Sequence, residues 1–137
     1  MNFLVDANVL SEATRPLPDS KVLGWLDRHE TELFLSAVTV GELQRGVALY
    51  PQSRKRAALA KWLGEVLENF EGRILPVDSH IAVAWGNYYA AQQQKGRKPP
   101  ALDSLIAATA LVHDLTVATR NSADFPDVSH MNPWENK

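Results

Sequence analysis

The sequence contains no cysteine. A disulfide framework, a thiolate metal site and a cysteine nucleophile are therefore excluded. Long hydrophobic runs are also missing, and the apolar stretches fall far short of a membrane span. No basic segment precedes the short apolar run at the start, so that run does not read as a secretory signal. With neither feature, the cytoplasm is the expected location and no membrane partner is expected. Strong charge of one sign is lacking too, since the formal net charge is −2. A broad electrostatic face for nucleic acid would make the chain basic, so any such contact must be local or aided by metal ions. His29, His80, His113 and His130 show no ligand spacing. Repeats, low-complexity tracts and linkers are absent.

What remains is ordinary globular material: 137 residues, 45% hydrophobic and 22% charged, enough for one domain over 1–137 with a real core. Its organising stretch is the start, where Phe3-Leu4-Val5 runs straight into Asp6 and Asn8. Such a run reads as a buried strand ending in a carboxylate. Asp6 or Asn8 can equally cap the helix that follows.

Beyond it, Asn8–Glu12 reads as a short helix, and Asp19 or Ser20 caps a second helix reaching His29. Leu33–Ala37 is a strand, and Thr39-Val-Gly-Glu42 opens a helix that Pro51 stops. Across 53–70 the pattern is helical, with Leu59, Trp62, Leu63, Val66, Leu67 and Phe70 on one stripe. Ile74–Val77 is a strand whose proline suggests an edge. Asp78 caps a long helix with Ile81, Ala84, Trp85, Tyr88 and Tyr89 on one face. Residues 95–100 form a loop, 101–113 a helix, 115–118 a strand, 120–125 a loop or turn, and 128–131 a last short strand. Strands alternating with helices imply an α/β fold: a central short parallel sheet of four to five strands flanked by helices on both faces.

In such sheets the carboxyl ends of the strands form the ligand crevice. Asp6, Glu42, Asp103 and Asn121 or Asp124 all fall where a strand ends or the next helix begins. Each has a structural explanation as well. Thr39-x-x-Glu42 is a capping box, the helix dipole favours Asp103 in a first turn, and Asn121 and Asp124 suit turns. Several acids on one rim repel and raise each other's pKa. A divalent cation with oxygen ligands, Mg²⁺ or Mn²⁺, removes that cost and leaves positions open for phosphate and water.

Val5-Asp6-Ala7-Asn8, Ser36-Ala-Val-Thr-Val-Gly-Glu42-Leu43, Asp103-Ser-Leu-Ile-Ala-Ala-Thr-Ala110 and Ala118-Thr119-Arg120-Asn121-Ser-Ala-Asp124-Phe125 together resemble the motifs of PIN-domain ribonucleases. Within that family the likeness is to the VapC-type toxins of bacterial toxin–antitoxin pairs, in the branch that includes FitB. Gly72–Asp78 and Asn132-Pro-Trp134 extend the resemblance over nearly the whole chain. It implies a PIN-like domain and a toxin that hydrolyses RNA phosphodiester bonds with Mg²⁺ or Mn²⁺. Asp6, Glu42 and Asp103 match the family's metal-binding acids. Asn121 stands where a fourth acid often follows Thr-Arg, and it brings a carbonyl oxygen without charge. Asp124 can substitute for it, and Asn8 and Thr119 can support the ligands. Lys95, Arg97, Lys98 and Arg120 are candidates for holding the RNA backbone, with Arg54, Lys55 and Arg56 as a second cluster. Arg45 can instead meet an antitoxin, the small cognate protein that covers the active site in this family. A homodimer is also implied.

An aspartyl-phosphate phosphatase would want an acid two residues after Asp6, where Asn8 stands. The competing reading is non-catalytic: a PIN-like binding module in a regulatory complex, its metal site weakened at Asn121.

Overall fold

The computed structural model describes residues 1–135. The chain forms β1 (Phe3–Val5), α1 (Ala7–Ser11), α2 (Ser20–Arg28), β2 (Leu33–Ser36), α3 (Ala37–Ala48), α4 (Arg54–Asn69), β3 (Ile74–Leu75), α5 (Ser79–Gln94), α6 (Ala101–His113), β4 (Thr116–Ala118) and β5 (His130–Met131). Short 3-10 turns occupy Glu12–Thr14, Glu30–Glu32, Ser122–Asp124 and Pro133–Glu135.

All five strands are parallel, in the order β3-β2-β1-β4-β5. β1 is central, with Leu4 opposite Phe34 on one side and Val117 on the other. Every residue of β1 is buried, as expected of a parallel strand covered on both faces. Its side chains alternate, so the strand feeds two cores. Phe3 and Val5 pack with Trp25, Leu35, Leu63 and Phe70 on one face. Leu4 packs with Tyr88, Ile106, Val117 and Phe125 on the other. The α/β layering expected from the sequence is thus present, with helices on both faces.

β3 lies at the sheet edge and ends at Leu75 rather than Val77. Pro76 has no N–H to continue the ladder. Helix α4 ends at Asn69, and Gly72 sits in the turn beyond with φ +82°, the left-handed region that suits glycine. In α5, Ile81 and Tyr88 are buried as expected, but so is Gln92, while Ala84, Trp85 and Tyr89 are only half-buried. Gln92 is tolerated there because its Nε2 donates to Asp127 Oδ2 at 2.9 Å.

The expected start of α3 requires correction. Ser36, not Thr39, is the N-cap, its Oγ accepting from Val38 N–H at 3.0 Å. The helix therefore begins directly where β2 ends. Thr39 becomes a buried residue of the first turn, and Glu42 moves out of the first turn into the second. No capping box forms, and the structural explanation for Glu42 falls with it.

Candidate functional site

Because all strands run the same way, the ends of β1, β2 and β4 share one rim, and the acids gather there. Asp6 follows β1 directly and is 6% exposed. Its Oδ1 caps α1 by accepting from Ala7 N–H at 2.9 Å. Its Oδ2 accepts from the Thr119 hydroxyl at 2.8 Å and, more weakly, from Asn8 Nδ2 at 3.4 Å. Capping and a role at the rim are therefore not alternatives: one oxygen does each. Thr119 leaves the end of β4, and its hydroxyl also accepts from Asn121 N–H at 3.0 Å.

The electrostatics show which acids face one another. Burial raises the Asp6 carboxyl above its ordinary range against the lowering effect of Thr119 and Ala7, and Asp124 adds repulsion. Glu42 is raised by burial and by Asp6, with Arg45 partly offsetting this. Asp103 is pushed up to about 7, by burial first and then by Asp6, Asp124 and Glu42. Hydrogen bonding from Asp124 raises Asp103 slightly further. Four carboxyl groups from four segments thus lie within electrostatic range of Asp103, itself included. Among the described residues, Arg45 acting on Glu42 is the one cation that offsets these shifts.

Asn121 is exposed, and its backbone starts the turn that brings Asp124 back toward Asp103, with Asp124 N–H donating to Asn121 O at 3.0 Å. Asp124 is therefore the acid that the β4 loop contributes to the cluster.

Two buried side-chain oxygens have no hydrogen-bond partner among the described residues, Glu42 Oε1 and Thr39 Oγ1. Spaced i and i+3, they lie on one face of α3. Thr39 was passed over at the sequence level, where its only visible role was the capping box. The donor set of Asp6, Glu42, Asp103 and Asp124 is all oxygen, and one of its atoms is an orphan aimed at nothing in the protein. Both features fit a hard divalent cation. Among the described residues, no group of three or more Asp, Glu or His side chains is drawn together closely enough to hold a metal ion.

The basic candidates separate. Lys95 Nζ and Arg97 Nη1 both contact Asp127 Oδ2, at 2.6 and 3.1 Å, which holds the Asp127 carboxyl down to about 2. Lys98 is exposed. Arg120 stacks on the Trp134 ring, 4.8 Å from its centroid. Lys55 lies 5.0 Å over Tyr50. Both flank the acid cluster, where two grooves open. One, of about 330 Å³, is mostly apolar and includes Ala7, Glu42, Val47, Tyr50, Leu59 and Trp62. The other, of about 260 Å³, runs from Asn8 to Arg120 and Trp134.

Glu12 was read only as the end of a helix. It is buried at 5% exposed, and its Oε2 accepts from Asp19 N–H at 2.8 Å, fixing the start of α2.

Comparison with known proteins gives the family and the fold. Residues 3–131 match the PIN domain family model. Toxin FitB of Neisseria gonorrhoeae is 43% identical over 136 residues, covering 96% of this chain and 98% of the relative. The VapC ribonuclease Y4jK of Sinorhizobium fredii is 38% identical over 137 residues, covering 97% and 98%. Among solved structures, FitAcB from Neisseria gonorrhoeae superposes with a TM-score of 0.92 at 41% identity, covering 98% of this chain and 99% of the matched chain. FitAB bound to a DNA fragment gives the same TM-score at 39% identity, with 98% and 97% covered. The five-stranded parallel sheet, the acids on its carboxyl rim and these matches along almost the full length lead to one conclusion: the chain belongs to the PIN domain family.

Proposed function

We propose that this chain is a Mg²⁺- or Mn²⁺-dependent endoribonuclease and the toxin of a toxin–antitoxin pair, acting in the cytoplasm. The observation that carries the reading is the acid cluster. Burial, and then Asp6, Asp124 and Glu42, raise Asp103 to about 7. A fold gains nothing from crowding carboxylates on one rim, whereas perturbed groups of this kind mark functional sites. Relatives named as a VapC ribonuclease and as Toxin FitB support the choice of chemistry and of system.

Asp6, Glu42 and Asp103 would hold the cation, with Asp124 completing the charge where Asn121 brings none. Bound there, a divalent cation acidifies a water and neutralises charge developing on the phosphate. Thr119 fixes the Asp6 carboxylate by donating to Oδ2, so that ligand is preorganised. Asp103, raised by burial and by the neighbouring acids, would be held in its ionised form by a cation bound there. Glu42, with one oxygen unpartnered, is left to position water or metal.

The apolar groove beside Glu42 is the surface we assign to the antitoxin, because an apolar segment seated there would cover the acids from one side. Solved relatives are FitAB and VapBC complexes, which supports a cognate protein partner.

The test is cleavage of a mixed RNA pool by partner-free protein in EDTA, Mg²⁺ or Mn²⁺, beside an Asp6→Ala, Asp103→Ala variant. Cutting that needs metal and is lost in the variant is the expected result. Folded wild type that cuts nothing with metal present would favour the non-catalytic binding module, the reading that the uncharged Asn121 keeps open.

A further inference from the structure

The second groove has not been given a role. It opens beside Asn8, whose Nδ2 reaches Asp6 Oδ2 at 3.4 Å, so one lining residue touches an acid of the cluster. Arg15 stands on one wall and Arg120 on the other, both exposed. Two cations beside the acid rim of a chain with net charge −2 are a local electropositive feature.

Arg120 is held in place from three sides. Its guanidinium lies 4.8 Å over the Trp134 ring, a geometry that restrains the side chain while leaving its N–H edges free. Its backbone N–H donates to Asn8 Oδ1 at 3.3 Å. The next residue's N–H is tied to the Thr119 hydroxyl. Among the described residues Arg120 makes no ion pair, unlike Lys95 and Arg97. Arg15 reaches only Glu12 Oε1, at 4.0 Å, and the Glu12 carboxylate is buried, with its other oxygen occupied by Asp19 N–H. Ser11 and Thr14 complete the wall with hydroxyls already bonded to backbone carbonyls. The groove is thus open and of mixed polar and apolar lining, with the buried Glu12 as its one carboxylate and two arginines that lack a close carboxylate partner among the described residues.

We propose, building on the nuclease reading, that this groove is a subsite for the phosphate backbone of single-stranded RNA flanking the scissile bond. Arg120 and Arg15 hold its phosphates. Trp134 acts through Arg120 as a platform, and so is a positioning residue. A planar guanidinium suits phosphate because its donors match two oxygens at once. A single strand suits the groove because it can follow a narrow cationic channel toward recessed acids.

The test uses a fluorescein-labelled, mixed-sequence single-stranded RNA of 20 nucleotides. Binding is followed by anisotropy in EDTA across a salt series, with steady-state cleavage in Mn²⁺ alongside. Arg120→Ala is expected to weaken binding about tenfold and to reduce the slope of log affinity against log salt by about 0.7. Its KM should rise with kcat unchanged. Arg120→Lys should restore the slope but not the affinity. Trp134→Leu should lose affinity while keeping the slope, because the charge remains. Lys61→Ala, on the exposed side of α4, is the control expected to match wild type. Thermal unfolding checks that each variant folds, and Arg120→Glu supplies a second test should Trp134→Leu unfold. Wild-type affinity and slope in both Arg120→Ala and Arg120→Glu would overturn the subsite while leaving the nuclease reading intact. Wild type that neither binds nor cuts RNA would overturn both.

Discussion

Asp103→Asn should stabilise the metal-free protein while destroying its activity. The folded-state carboxyl of Asp103 is raised from 3.8 to about 7. A raised carboxyl means that the native state holds a proton which the unfolded chain has already released. The stability linked to that proton is complete below about pH 4, declines as pH rises, and is lost above about 7. Three units correspond to at most about 4 kcal/mol. Asp103 is only half-buried, so solvent screening reduces this to roughly 1–2 kcal/mol. Asparagine is neutral at every pH and so escapes the burial and repulsion that raise the Asp103 carboxyl. In EDTA the variant should therefore match wild type at pH 4 and exceed it at pH 8 by roughly 1–2 kcal/mol, or about 3–8 °C in Tm for a chain of this size. Adding Mn²⁺ at pH 8 should raise wild type and leave the variant unmoved. Thermal unfolding across pH in EDTA and in Mn²⁺ reads all of this. A variant less stable than wild type at pH 8, or a difference independent of pH, would refute the reasoning, because Asp103 would then be a structural residue and not a strained one.

Other perturbations have equally defined signs. Thr119→Val removes the bond to buried Asp6 and orphans Asn121 N–H. It should cost about 2–3 kcal/mol in thermal unfolding and weaken Mn²⁺ binding about tenfold by calorimetry, with Thr119→Ser recovering most of both. Thr39→Val replaces a buried hydroxyl that has no partner with a side chain of the same shape, so metal-free stability should rise by about 1 kcal/mol; a fall would show that the hydroxyl is engaged. Asp127 is lowered to about 2 by Lys95, Gln92 and Arg97. Its contribution is present above about pH 4 and disappears as pH falls through 2. The advantage of wild type over Asp127→Asn, followed by circular dichroism in an acid titration, should vanish over that window.

Much of the site could be read before the fold was known. Phe3-Leu4-Val5 followed by Asp6 marked both the central strand and the acid at its end, because a buried parallel strand is a bare apolar run and its carboxyl end is where the chain surfaces. Asp103 was likewise legible in the first turn of the helix after the Pro99-Pro100 loop, whereas Glu42 lies one turn further into its helix than expected. The start of α3 was not legible, since Ser36 and Thr39 are both good caps. The choice fell to Ser36 only because β2 ends there and no loop intervenes. Lys95 and Arg97 looked like free cations beside Asp103, and the carboxylate that ties them lies 32 and 30 residues away. No local spacing reveals such a pairing. The same holds for Trp134 under Arg120 and for Gln92 on an apolar face, where tertiary contacts decide what pattern alone cannot. The resemblance to the PIN family left the fourth position open between Asn121 and Asp124, and of the two it is Asp124 whose carboxyl acts on Asp6 and Asp103.

The claim on which the rest depends is that Asp6, Glu42 and Asp103 form a divalent-cation site. Calorimetric titration of the partner-free protein with Mn²⁺ at pH 8 tests it most directly, with Asp6→Ala, Asp103→Ala as the comparison. Saturable binding by wild type, lost in the variant, is the predicted result. Heats that are equal in both proteins, or absent from a folded wild type, would contradict it.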